Sequence, residues 1–136
     1  MKKVLLILLV AVTALISCKK DPEEKLKGRW DLIKRYSTEH IDNIMSHESN
    51  ETFNVGEMYV VFENNKYNLY ENGKLDGSGT FTATSNSITL TEENGLNYTN
   101  TIKWNSKNEF VMSSEDTTTF NGQTYHSKEE ATLRKH

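Results

Sequence analysis

Two patterns of apolar positions divide this chain. Val4 to Ile16 is one nearly unbroken apolar run, with Thr13 as its only polar residue. From residue 29 onward, Thr, Asn, Tyr, Phe and Val dominate, and no stretch sustains a 3.6-residue apolar period. Pairs of turn type punctuate this second region at short intervals: Asn64-Asn65, Asn72-Gly73, Ser85-Asn86, Asn94-Gly95, Lys107-Asn108 and Asn121-Gly122. No proline follows Pro22, so nothing interrupts long paired strands.

One face of a hairpin must be apolar on both strands, and this tests the register. A two-residue turn at Asn64-Asn65 sets Phe62 opposite Tyr67 and Val60 opposite Leu69. A turn at Ser85-Asn86 sets Ala83 against Ile88 and Phe81 against Leu90. A three-residue loop at 106–108 sets Trp104 against Phe110 and Ile102 against Met112. In each hairpin apolar meets apolar, as cross-strand pairing requires. The Asn72-Gly73 turn sets Leu75 against Tyr70 but Asp76 against Leu69, so a longer loop or a bulge near 77–79 is expected there.

Eight strands result, at 29–37, 57–63, 66–71, 79–84, 87–92, 98–105, 109–117 and 124–134. Hairpin order leaves two free edges unless the sheet closes. The expected fold is therefore all-β, a single antiparallel eight-stranded up-and-down meander barrel, with a β-sandwich as the alternative. The connection at 38–56 is too long for a hairpin loop and is expected to be mobile and to lie over one mouth. Ile41, Ile44 and Met45 stand at helical spacing and allow a short helix within it.

The apolar run has a different meaning. Lys2 and Lys3 precede it, and it is too short to cross a bilayer core of about 30 Å, which suits a signal peptide. It ends in Leu15-Ile16-Ser17-Cys18, which resembles the bacterial lipobox. That resemblance implies cleavage before Cys18, lipidation of its sulfur and a membrane anchor. The other reading is an ordinary secretory signal followed by a cysteine. Cys18 is the only cysteine, so an internal disulfide is impossible. Residues 19–27 are charged, contain the one proline and read as a solvated tether. Asp21, Glu23 and Glu24 resemble the surface-export signal of certain Gram-negative lipoproteins; a plain polar spacer is the alternative. The expected division is thus a signal peptide at 1–17, a lipidated cysteine and tether at 18–27, and a barrel domain at 28–136, in an outer-membrane lipoprotein of the cell envelope.

Removing residues 1–17 takes away two lysines and no acids, leaving 14 basic and 19 acidic residues and a formal charge of −5. No basic stripe with interleaved aromatics occurs, so nucleic acid is not an expected partner.

Gly28-Arg29-Trp30 opens the first strand and resembles the Gly-x-Trp signature of lipocalins. The layout of lipobox, short acidic tether, Gly-x-Trp, meander and a last strand ending in Thr132-Leu133-Arg134-Lys135 is similar to small bacterial lipocalin-like lipoproteins. The resemblance implies a barrel base closed by Trp30 with Arg134 packed over it. The alternation of the last strand allows a second arrangement, with Ala131 and Leu133 inside and Arg134 outside.

Candidate chemistry is sparse. His40 and His47 lie among Glu39, Asp42, Glu48 and Glu51, but seven residues apart on a loop is not a metal-ligand spacing, and solvent-exposed side chains are expected. His126 and His136 have no partner in view. No Gly-x-Ser-x-Gly and no Cys/His pairing supports nucleophilic catalysis, so no enzyme activity, cofactor or metal is expected. The acids at 92–93, 116 and 129–130 are expected on solvated turns or strand faces. Phe62, Tyr67, Leu69, Phe81, Leu90, Ile102, Trp104, Phe110 and Met112 are the candidates for core or pocket lining. Two functions follow: a barrel that binds a small apolar or amphipathic ligand, or a filled barrel that displays an interaction surface to an unidentified partner. A cavity of about 300 Å³ or more would favour the first.

Overall fold

The computed structural model describes residues 20–136; the apolar leader and Cys18 lie outside the described residues. A short helix, α1 (Pro22–Leu26), precedes nine strands. These are β1 (Gly28–Ile41), β2 (Ile44–Thr52), β3 (Met58–Glu63), β4 (Lys66–Glu71), β5 (Lys74–Ala83), β6 (Ser87–Glu92), β7 (Asn97–Ser106), β8 (Glu109–Phe120) and β9 (Gln123–Lys135). All neighbours pair antiparallel, and β1 pairs with β9, so β1 and β3 to β9 close an eight-stranded barrel. β2 is the ninth strand, outside the closed ring.

The three hairpin registers are those set by the apolar pattern. Phe62 faces Tyr67, Val60 faces Leu69, Ala83 faces Ile88, Phe81 faces Leu90, Trp104 faces Phe110 and Ile102 faces Met112. At Asn72-Gly73 the turn has two residues, Leu75 faces Tyr70, and a bulge then sets Leu69 opposite Gly77. Asn64 and Asn65 both have positive φ, as do Asn72 with Gly73 and Asn121 with Gly122. Two consecutive left-handed residues match the twist of the flanking strands, which explains why Asn and Gly stand there.

The segment at 38–56 is not a loop. β1 continues to Ile41, turns through Asp42 and Asn43, both with positive φ, and returns as β2. The apolar spacing of Ile41, Ile44 and Met45 comes from the two sides of this turn, and Ile41 pairs with Ile44. Only Gly28–Asp31 of β1 pair with β3, whereas residues 34–41 pair with β2. The upper halves of β2, β1, β9 and β8 therefore form a four-stranded sheet standing beyond the barrel. Asp42 N–H donates to Thr124 O at 2.8 Å, and Thr124 N–H donates to Asp42 Oδ1 at 2.8 Å, locking the two hairpin tips together.

The tether also differs from a solvated spacer. Asp21 caps α1 by accepting from Glu23 N–H, and Pro22 occupies the first turn, where a missing N–H costs nothing. The helix carries Leu26 under the barrel, where it is fully buried and belongs to the core.

Candidate functional site: the barrel interior and its mouth

Side chains alternate in and out along each strand, so the barrel interior fills in layers. The bottom layer is aromatic. Trp30 is 0 % exposed and donates from its indole Nε1 to Leu26 O. Its ring meets Phe110 edge-on at 4.8 Å and Trp104 at 5.9 Å, while Phe62 meets Phe81 at 4.8 Å. Such edge-to-face pairs add to the area buried. Tyr67, Ile88, Ile102 and Leu133 are buried in the same core, which leaves the base solid.

Lys135, not Arg134, covers Trp30. Trp30 pairs with Lys135 across the β1–β9 ladder, and the ammonium stands 5.2 Å from the indole ring centre. Leu133 points inward, so its neighbour Arg134 must point outward. There it holds Glu109 through Nε at 3.1 Å and Nη2 at 2.9 Å. The Asn105 amide and the Arg134 guanidinium together hold the Glu109 carboxyl below its usual range.

Above the aromatic layer the interior is aliphatic and incompletely filled. A cavity of about 180 Å³ lies there, with Phe62 and Phe110 among its lining residues. Leu32, Met58, Val60, Leu69, Leu90, Met112 and Ala131 complete its apolar wall, and Arg35, Asp76 and Glu129 supply charge. Leu69 faces inward yet is 39 % exposed, which shows that the cavity communicates with solvent. It sits beside the split where β1 leaves β3 for β2. Arg35 is already paired with Glu51 through two contacts, at 2.6 and 2.9 Å.

Of the nine lining candidates, Phe62, Tyr67, Phe81, Ile102 and Phe110 are buried core, and Trp104 packs against them. Leu69, Leu90 and Met112, with Phe62 and Phe110, also line the cavity. Leu32, Val60 and Ala131, outside those nine, also line the cavity: Val60 as the cross-strand partner of Leu69, and Ala131 on the inward face of β9 with Leu133. Glu129, read as a solvated acid, is exposed and stands at the rim of the cavity.

The histidines scatter. His40 faces His126 across the ladder with ring centres 6.0 Å apart, and His47 pairs with Glu39. His136 Nδ1 lies 3.1 Å from Asp31 Oδ2. Among the described residues no group of three or more His, Cys, Asp or Glu side chains is placed to hold a metal ion. No described helix is long and apolar enough to cross a membrane. Neither a family model, nor a curated protein, nor a solved structure matches this chain.

Proposed function

We propose that this chain is a membrane-anchored lipoprotein of the cell envelope whose lipocalin-like barrel holds the apolar end of a small amphipathic ligand and carries out no catalysis. The observation behind this reading is the cavity above the aromatic floor: apolar on its walls, charged at Arg35, Asp76 and Glu129, and open to solvent. Its volume of about 180 Å³ limits the occupant. It is smaller than the roughly 300 Å³ and more of sites that enclose a drug-sized molecule. A dry cavity of about 150 Å³ in another protein takes one benzene ring. The end of an alkyl chain or a single ring fits here, with the polar part of the ligand left outside.

The anchor rests on Leu15-Ile16-Ser17-Cys18 and on Cys18 being the only cysteine. Two measurements test the whole reading. Native mass spectrometry of the detergent-extracted protein from its own source should find a co-purifying small amphiphile, lost in Ala131→Leu, which narrows the cavity. Cys18→Ala should shift the protein from the membrane fraction to a soluble or unprocessed form. An empty barrel together with unchanged fractionation would remove both halves.

A second reading, an interaction module, is favoured by the sheet that stands beyond the barrel. Its tip exposes Ile44 by 73 % and Phe120 by 65 %, and its outer strand β2 has a free edge. An empty barrel with Cys18-dependent anchoring would select this reading.

A further inference from the structure

The barrel base carries a cleft of about 630 Å³ on one side of α1. Lys20, Lys25, Lys107 and Lys135 line it around Trp104, with Glu24 as the one acid among its lining residues. All four lysines are exposed, and among the described residues none of their ammonium groups lies within 4.0 Å of a carboxylate. Four unpaired lysines around one cleft are unexpected on a domain whose processed chain is net acidic. The opposite flank of α1 has the reverse character, with Asp21, Glu23 and Glu63 beside Lys27. The base is therefore electrostatically two-sided.

We infer that this lysine cleft binds the phosphates of anionic lipid headgroups and sets how the barrel stands on its membrane. The inference rests on the anchor proposed above. Lys20 is both a lining residue of the cleft and only two residues beyond Cys18, a reach of about 7 Å at most. A lipid on Cys18 would hold the cleft at headgroup depth, where each lysine near an anionic surface contributes about fivefold to association. Trp104 at the same edge is amphipathic and suits that interface. The acidic flank is repelled by the same surface. The domain therefore tilts, lysine side down, and turns the free sheet tip away from the bilayer.

The test uses the full, processed protein reconstituted on vesicles of phosphatidylcholine alone or mixed with phosphatidylglycerol. Flotation reports the anchor, and amide exchange at 104–108 and 133–135 reports the cleft. The expected result is flotation with both vesicle types, but slower exchange only on the anionic ones and only at low salt. Lys25→Gln and Lys107→Gln should each reduce that protection about fivefold. Both side chains are exposed, and unchanged melting temperatures would verify the fold. Flotation with both types and equal exchange would overturn the inference and leave the anchor standing. No flotation with either would overturn the anchor, and the inference with it. Equal protection by inorganic phosphate without vesicles would assign the cleft to a soluble anion and overturn the membrane role.

Discussion

Asp31 lies on the outer side of the barrel wall, next to the inward-facing Trp30, yet its side chain is only 3 % exposed. Arg29 Nη2 donates to its Oδ1 at 2.7 Å and Gly56 N–H donates to the same atom at 2.9 Å. Burial pushes the carboxyl up, but the Arg29 hydrogen bond, the Gly56 N–H and the charges of Arg29 and His136 outweigh it and hold it below its ordinary value. A carboxyl with a depressed folded pKa stabilises the fold above the unfolded pKa of about 3.9, and this is lost as pH falls through the folded value. Asp31→Asn should therefore cost about 1.5 to 3 kcal/mol at neutral pH and flatten the acid limb of stability, read from denaturant midpoints against pH. Trp30 has apolar surroundings instead, packed edge-on against Phe110 and Trp104, with Lys135 over its ring. Trp30→Ala should cost about 3 to 5 kcal/mol. Arg134→Ala should barely move the midpoint, because its pair with Glu109 is solvent-exposed.

Among the elements, β5 shows how a single missing side chain sets the packing. Gly79 stands opposite Tyr67, and a Cβ there would lie 2.0 Å from Thr91 O and 2.9 Å from Tyr67 Cε1. The glycine makes room for the Tyr67 ring against the bottom layer. Gly77, two residues earlier on the same face, would set its Cβ 3.7 Å from Leu69 Cδ1, an ordinary contact. Gly79→Ala should thus destabilise by about 1 to 3 kcal/mol or more, and Gly77→Ala should stay within about 0.5 kcal/mol of the parent. Equal effects in thermal unfolding would contradict the packing difference.

For the molecule as a whole, closure replaces cross-linking. The β1–β9 ladder runs from Trp30–Lys135 to Ile41–Tyr125, its lower part closing the barrel and its upper part continuing into the sheet beyond it. One cysteine allows no internal disulfide, and no described cluster is placed to hold a metal. The melting temperature should therefore be the same with and without reductant, and with and without chelator; a drop with either would expose a missing constraint. The base is solid, and the layer above it holds the open cavity of about 180 Å³.

Local pairing was legible in the residues because it depends on neighbours. The six cross-strand partners around Asn64-Asn65, Ser85-Asn86 and 106–108 follow from apolar alternation and turn chemistry alone. Burial of Trp30 was what the Gly-x-Trp resemblance implied. Asp42-Asn43 was not read as a turn, because the helical spacing of Ile41, Ile44 and Met45 suggested a short helix there. Closure of eight strands was expected from their count, but finer non-local geometry was not legible. The bulge after Leu32 resets which side chains of β1 face inward, bringing Arg35 to the cavity. The parity of β9 chose Lys135 over Arg134 for the indole, because Leu133 filled the interior position beside them. The cavity itself depends on how far eight strands stand apart once closed, and no single strand carries that distance. Tertiary structure alone also set Lys107 beside Lys20 and Lys25, since only barrel closure brings the β7–β8 turn next to α1.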